Sequence, residues 1–282
     1  MKIIECPRDA MQGLHDFIPT EKKINYINQL LKVGYDSIDF GSFVSPKAIP
    51  QLADTAEVLV GLDLSHTKSK LLAIIANVRG AEQAVQFNQI QYLGFPFSIS
   101  ETFQQRNTHS SILQSLDSVK RIQELCLANG KELVLYISMG FGNPYGDEWS
   151  TEIAEKWVGE MDNLGVKIIS LSDTIGVATP ESISYLFTSL IPRFPHIEFG
   201  AHLHTTPTTW KEKIEAAYNS GCKRYDGAIK GFGGCPMAAD ELTGNMPTEN
   251  LVSFFEEKNI DLGLNKEAFK QSMIASYDVF GA

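Results

Sequence analysis

The sequence has few cysteines and no long apolar run. Its 282 residues include four cysteines, none in a Cys-x-x-Cys pair, which is too few for a disulfide scaffold and favours a reducing, cytoplasmic setting. No segment approaches about 18 uninterrupted apolar residues, so we predict no membrane span. A strand-like pattern begins at Lys2, and we therefore expect no signal or transit peptide.

Basic residues are also scarce. The chain has 24 Lys and Arg against 34 Asp and Glu, which gives a formal net charge of -10. Nucleic acid and anionic lipid are polyanions, so this balance disfavours both as partners. It still allows one basic pocket for a small anionic metabolite.

Short β-branched segments alternate with longer amphipathic segments along the chain. This alternation predicts an α/β fold of the (β/α)8 TIM-barrel class, with residues 1–282 as a single catalytic domain. A doubly wound open sheet gives the same alternation, but no Gly-x-Gly-x-x-Gly follows the first strand. Segment 265–282 is predicted to be a C-terminal helical extension that either covers one end of the barrel or joins a homodimer contact. The predicted strands are Lys2–Cys6, Asp36–Gly41, Leu71–Ala76, Ile90–Leu93, Glu132–Ser138, Lys167–Leu171, Ile197–Leu203 and Arg224–Ala228.

Three predicted helices have recognisable ends. The pattern over Lys22–Val33 stops at Gly34, and the pattern over Ile112–Ala128 stops at an Asn-Gly pair. Thr179-Pro180-Glu181 is typical of a helix start, because the hydroxyl can cap, proline suits the first helical position and the acid faces the positive helix end.

Polar side chains occur where several predicted strands end. In a TIM barrel these ends converge on one mouth. Because residues i and i+2 of a strand point to the same side, His202 and His204 should face the mouth together. With a carboxylate such as Asp9 they form a donor set that suits Mg²⁺ or Mn²⁺, and Zn²⁺ or Fe²⁺ less well. The alternative is that both histidines are only hydrogen-bonded polar residues.

Arg8 and Cys235 carry the other candidate reactive groups. Arg8 near a metal would stabilise a developing enolate with its permanent charge, or it forms a structural ion pair at the rim. Cys235 follows a glycine-rich segment, where a thiol can transfer a proton, although most lone loop cysteines have no such role. We expect three buried cysteines, Cys6, Cys126 and Cys222, and three solvated histidines, His66, His109 and His196.

The segment Glu5-Cys6-Pro7-Arg8-Asp9-Ala10-Met11-Gln12 resembles the opening motif of the hydroxymethylglutaryl-CoA lyases, a metal-dependent (β/α)8-barrel family of the DRE-TIM metallolyase type. Further matches follow in the family's order up to residue 252, and together they are specific. They are Ser42-Phe43-Val44-Ser45-Pro46-Lys47, Leu171-Ser172-Asp173-Thr174-Ile175-Gly176, His202-Leu203-His204, Gly233-Gly234-Cys235-Pro236, Gly244-Asn245 and Thr248-Glu249-Asn250-Leu251-Val252.

The resemblance implies a metal-dependent cleavage of 3-hydroxy-3-methylglutaryl-CoA, or a close 3-hydroxyacyl-CoA, to acetoacetate and acetyl-CoA, a step of leucine degradation. Arg8 would stabilise the enolate of acetyl-CoA, and Cys235 would shuttle protons. Asp39 would support the metal centre, and His202 is a candidate base. The implied ligands of the divalent cation (Mg²⁺ or Mn²⁺) are Asp9, His202, His204 and Asn245.

Three departures from the family pattern bear on the acyl substrate. Asp39 stands where the family usually has glutamate, so its reach is one methylene shorter. The opening motif lacks one residue before Pro7. The loop from Cys235 to Asn245 is one residue longer than expected and lacks a usual glycine.

Two related activities and one non-catalytic role are alternatives. A Claisen-type synthase accepting a 2-oxo acid, or an aldolase for 4-hydroxy-2-oxo acids, would use a similar site. The absence of a regulatory extension and the Gly-Gly-Cys-Pro loop disfavour the synthase. The third alternative is a barrel that binds an acyl-CoA without catalysis, which would bind metal tightly and show no turnover.

Overall fold

The computed structural model describes residues 1–234 and 243–281. Eight parallel strands form one sheet in the order β6-β5-β4-β3-β2-β1-β8-β7, and pairing of β6 with β7 closes it into a barrel. Helices lie between the strands, so the predicted (β/α)8 barrel is confirmed. A ninth, two-residue strand pairs antiparallel with β7. The strands are β1 Lys2–Glu5, β2 Ser37–Ser42, β3 Lys70–Ile74, β4 Ile90–Ser98, β5 Glu132–Ser138, β6 Ile168–Asp173, β7 Glu198–Thr205, β8 Arg224–Gly227 and β9 Gly244–Asn245.

Several helices begin at a side-chain cap. Thr179 caps the helix at Pro180 and Ser111 caps the helix at Ile112, each in a reciprocal capping box. Gly34, two residues beyond the C-cap at Lys32, has a φ of 83°, a left-handed value that favours glycine. The helices are α1 Pro7–Gln12, α2 Thr20–Leu31, α3 Thr55–Val60, α4 Val78–Ala84, α5 Glu101–Thr108, α6 Ile112–Ala128, α7 Thr151–Asn163, α8 Pro180–Arg193, α9 Trp210–Asn219, α10 Thr248–Glu257 and α11 Lys266–Phe280.

Pro7, Arg8 and Asp9 form a short helix rather than the end of the first strand. Cys6 is the N-cap, and Pro7 occupies the first turn, where its missing N–H costs nothing. A strand would have turned Arg8 and Asp9 to opposite faces, whereas the helix allows their side chains to meet. Both side chains are buried and contact each other directly.

Most buried apolar side chains belong to one of two clusters, and a third, small cluster joins Phe103 to Met139. The larger cluster lies between the strands and the surrounding helices and includes Cys126 and Cys222. The smaller one joins alternate residues of β3 to β6 inside the barrel, among them Tyr136, whose ring meets the His202 ring edge-on with centroids 5.7 Å apart. Cys6 is also buried, so the three cysteines that the structure describes are buried as predicted.

The C-terminal helix α11 lies along α2. Gln29 of α2 donates a hydrogen bond to the Ala268 carbonyl at 3.1 Å, and the Tyr26 and Phe280 rings meet edge-on with centroids 5.8 Å apart. The assignment of residues 265–282 as an extension of the catalytic domain stays a prediction. Within the described ranges, no helix is both long and apolar enough to cross a membrane.

Candidate active site

Three of the predicted metal ligands lie together at the barrel mouth. One potential ligand atom from each of Asp9, His202 and His204 lies within 4.8 Å of the other two. Asp9 comes from α1, which follows β1, while both histidines project from β7. Alternation along β7 turns the two imidazoles to the same side, and their ring centroids are 5.4 Å apart.

Strand register supplies a neighbour for each histidine. His202 pairs in register with Asp226 of β8, and His204 pairs with Asn245 of β9. Paired residues on adjacent strands project to the same face, so each neighbour's side chain lies beside its histidine.

The carboxylate of Asp226 holds one nitrogen of His202. Its Oδ2 lies 3.1 Å from Nδ1, which leaves Nε2 directed toward the cluster. Burial would lower the pKa of His202, but the hydrogen bond to Asp226 and the charge of that carboxylate outweigh burial and raise it. This arrangement of carboxylate, histidine and open nitrogen is typical of histidines that bind metals.

His204 is oriented by the main chain instead. Its Nδ1 lies 3.0 Å from the Thr174 carbonyl, and Nε2 is buried with no hydrogen-bond partner among the described residues. Burial, together with the nearby His202, lowers the pKa of His204 to about 4, so the ring is neutral at pH 7 and can offer a lone pair. A buried, unpartnered imidazole nitrogen beside a carboxylate fits a divalent cation, which would satisfy both.

Asn245 lies against the cluster on the other side of Asp9. Its Nδ2 donates to Asp9 Oδ2 at 2.6 Å and to the Phe232 carbonyl at 2.9 Å. Burial would raise the pKa of Asp9, but the charges of Arg8 and both histidines and the Asn245 hydrogen bond lower it overall. Asp9 is therefore a carboxylate at neutral pH, as a metal ligand must be.

Arg8 is held in place by three acceptors. Its Nη1 donates to Asp9 Oδ1 at 2.9 Å and to Gln12 Oε1 at 2.8 Å. Its Nε and Nη2 both donate to Asp39 Oδ2, at 2.9 and 2.5 Å. A guanidinium has five N–H groups, so these four bonds leave one Nη2 hydrogen for another acceptor.

Asp39 contacts Arg8 and is not part of the three-residue cluster. Burial raises the pKa of Asp39 to about 6, although the Arg8 charge and hydrogen bonds act in the opposite direction. Asp39 was predicted to support the metal centre, and the contact that the structure describes is with the arginine beside that centre.

A cavity of about 500 Å³ opens above these groups, within the range of small-molecule sites. Arg8, Asp9 and both cluster histidines line its floor. Its walls are largely apolar and include Val44, Ile49, Ile74, Pro96 and Phe103. The site can therefore bind an anionic or metal-chelating head group below and an apolar chain above.

His109 lines this cavity although it was expected only to be solvated. It is exposed and ends α5 in a left-handed conformation, with φ 54°. His66 and His196 are exposed, as predicted. Cys235 lies outside the described residues, so its predicted position in the site stays a prediction.

Three residues that contact the site were not singled out from the sequence: Gln12, Asp226 and Lys213. Asp226 could have been found, because it is an acid at the carboxyl end of a strand pattern. Gln12 follows Asp9 by three residues, so it becomes a neighbour only once the segment is recognised as a helix. No sequence pattern marked Lys213, because its hydrogen-bond partners come from two other segments of the chain.

A closed barrel with two histidines and a carboxylate at its mouth defines a (β/α)8 protein with a candidate divalent-metal centre. The HMGL-like family model matches residues 2–273. Hydroxymethylglutaryl-CoA lyase YngG of Bacillus subtilis is 33% identical over 261 residues, which cover 93% of this chain and 86% of that protein. The chain belongs to the HMGL-like family.

Two further comparisons also find hydroxymethylglutaryl-CoA lyases. A 3-hydroxy-3-isohexenylglutaryl-CoA/hydroxymethylglutaryl-CoA lyase of Pseudomonas aeruginosa is 32% identical over 271 residues, covering 95% of this chain and 89% of that protein. The structure of an HMG-CoA lyase from Acinetobacter baumannii, in complex with coenzyme A and 3-methylmalate, superposes with a TM-score of 0.91 at 32% identity. That match covers 99% of this chain and 91% of the other.

Proposed function

We propose that this chain is a divalent-metal-dependent carbon–carbon lyase that cleaves 3-hydroxy-3-methylglutaryl-CoA to acetoacetate and acetyl-CoA, or a close 3-hydroxyacyl-CoA to the corresponding 3-oxo acid and acetyl-CoA. The observation that carries the proposal is the cluster of Asp9, His202 and His204 at the floor of an apolar-walled cavity. Family membership supports the reaction type.

The proposed ligands of the cation are Asp9, His202, His204 and Asn245. A Mg²⁺ or Mn²⁺ ion bound there supplies Lewis-acid polarisation of substrate oxygens. Asp9 contributes a carboxylate and His204 a neutral imidazole with an open Nε2.

Cleavage breaks the bond between C2 and C3 of the acyl group. The tertiary hydroxyl loses its proton and becomes the ketone of acetoacetate, while the bonding electrons pass to the thioester fragment as an enolate. That enolate takes up one proton at carbon to give acetyl-CoA. One Nη2 hydrogen of Arg8 makes no bond to a described residue, and we assign this donor to the enolate oxygen, because Asp9, Gln12 and Asp39 fix the guanidinium in advance. We assign delivery of the final proton to Cys235.

The two proposed roles of His202 compete for a single nitrogen. Asp226 holds Nδ1, so only Nε2 is available either to bind the cation or to accept the hydroxyl proton. His202→Ala distinguishes the roles: lost metal binding identifies a ligand, whereas lost turnover with intact metal binding identifies the base.

The test of the function is a cleavage assay on the purified chain with Mn²⁺ or Mg²⁺ and hydroxymethylglutaryl-CoA, following acetoacetate. Asp9→Asn should abolish metal-dependent release, and Cys235→Ala should slow it. Asp16→Asn is the matched control, since Asp16 is an exposed acid in the segment that follows α1. Tight metal binding without release would instead favour the non-catalytic alternative.

The scarcity of cysteines supports a cytoplasmic enzyme, and the family resemblance supports a role in leucine degradation and a homodimer. Size-exclusion chromatography with light scattering tests the dimer. The acidic net charge supports the absence of nucleic-acid and membrane partners.

A further inference from the structure

We infer that Lys213 is a positioning residue for the metal centre, acting through His204; this inference rests on the proposed function. Lys213 lies in the first turn of α9 and is only 2% exposed. An ammonium group has three N–H donors, and each has an acceptor here. Nζ donates to Asp173 Oδ2 at 2.6 Å, to the Gly176 carbonyl at 2.9 Å and to the His204 carbonyl at 2.9 Å.

These three acceptors belong to the two chain segments that orient His204. Asp173 ends β6, and Gly176 lies in the loop that follows it. The carbonyl of Thr174, between them, accepts the Nδ1 hydrogen of His204. Lys213 thus connects two parts of the site: the main chain of His204, and the 173–176 loop whose Thr174 carbonyl holds the His204 imidazole.

These contacts fix the orientation of the His204 imidazole ring. If the 173–176 loop moves relative to β7, the Thr174 carbonyl leaves Nδ1, and the ring can rotate or change tautomer. Nε2 would then no longer point toward Asp9 and His202. By fixing both segments, Lys213 keeps the open nitrogen in the cluster without touching a metal or substrate itself.

The same loop is also tied to the segment that carries Asn245. Thr243 donates to the Ile175 carbonyl at 3.4 Å, and a Cβ on Gly176 would lie 2.7 Å from the Thr243 methyl group. Movement of the loop would therefore disturb both sides of the proposed site.

A purely structural ion pair would stabilise the fold without affecting metal binding, so the test measures metal affinity. Mn²⁺ is titrated into Lys213→Met and free Mn²⁺ is followed by electron paramagnetic resonance. We expect the dissociation constant to rise by about 10- to 100-fold, the effect seen when outer groups that orient metal ligands are removed. Lys211→Met is the matched control, because Lys211 lies two residues away on α9 and pairs with Glu257 at the surface.

Two further variants keep the test decisive. Lys213→Met leaves the buried Asp173 carboxylate without its ion-pair partner, so the double variant Lys213→Met with Asp173→Asn removes both charges and protects the fold. In a His204→Ala background, Lys213→Met should lower the Mn²⁺ affinity by a smaller factor than it does in the parent, because the part of its effect that passes through His204 is already absent. A folded Lys213 variant that binds Mn²⁺ as the parent does would overturn the inference alone, whereas a parent chain that binds no Mn²⁺ would overturn the proposed function.

Discussion

Replacing Glu5 with glutamine should change how the stability of this protein depends on pH. Glu5 is fully buried at the end of β1. One carboxyl oxygen accepts a hydrogen bond from the Ile229 amide at 2.9 Å, and the other accepts one from the Thr248 hydroxyl at 2.6 Å. Ile229 and Thr248 flank the segment that contains Cys235 and Asn245, so Glu5 connects the two ends of that segment. Burial raises the pKa of Glu5 from 4.5 to about 8, against the effect of these two hydrogen bonds.

The direction in which pH changes the stability follows from proton binding to Glu5. Between pH 4.5 and about pH 8 the folded chain keeps a proton on Glu5 that the unfolded chain has released. This contribution to stability is fully present below pH 4.5 and is lost as the pH rises through about 8. The loss is about 1.4 kcal/mol for each pH unit in this window, which sets an upper limit of about 5 kcal/mol for the total.

Glutamine keeps the shape and both hydrogen bonds, since its amide can donate to the Thr248 oxygen, but it does not titrate. Urea unfolding at several pH values from 5 to 9 gives the free energy of unfolding of each chain. We expect Glu5→Gln to gain stability relative to the parent as the pH rises. The control is Glu82→Gln, at an exposed position on α4. A difference between Glu5→Gln and the parent that stays constant across this range would refute the reasoning.

Three further outcomes follow from the site. Asp226→Asn should weaken Mn²⁺ binding by about 10- to 100-fold in a paramagnetic resonance titration, because His202 loses the carboxylate that fixes Nδ1; unchanged affinity would remove Asp226 from the site. Arg8→Lys should lower kcat at saturating metal by about 10²- to 10³-fold, since a lysine lacks the fork of donors; parent-like turnover would contradict the enolate role. Gly176→Ala should destabilise the chain by more than about 1 kcal/mol in urea unfolding and also weaken Mn²⁺ binding, because φ is 75° and the space is filled. Gly130→Ala, with φ 63° and open space, should show only the backbone cost and leave Mn²⁺ binding unchanged.

The two histidines show why part of the site could be predicted from sequence. Alternation along a strand is a local property, so the common direction of His202 and His204 follows from their spacing once β7 is recognised. The barrel then places the other strand ends at the same mouth. Asn245 was predicted as a metal ligand only from the motifs that resemble the family, because no strong local pattern marks its position in β9.

Other contacts of the site could not be predicted from the sequence, because they depend on tertiary structure. The first predicted strand ended at Cys6, and no helix was predicted directly after it. The helix beginning at Pro7 turns Arg8 toward both Asp9 and Asp39. Lys213 lies on a helix whose sequence is ordinary, and its three acceptors come from segments 9 to 40 residues away. Such contacts are set by the packing of elements and carry no local signature.

The most direct measurement of the central claim is product analysis by mass spectrometry after incubating the purified chain with hydroxymethylglutaryl-CoA, with and without added Mn²⁺. The account predicts equal amounts of acetoacetate and acetyl-CoA that form only with the metal and are lost in Asp9→Asn. Release of free coenzyme A without acetoacetate, or an intact substrate in a sample that binds Mn²⁺, would contradict it.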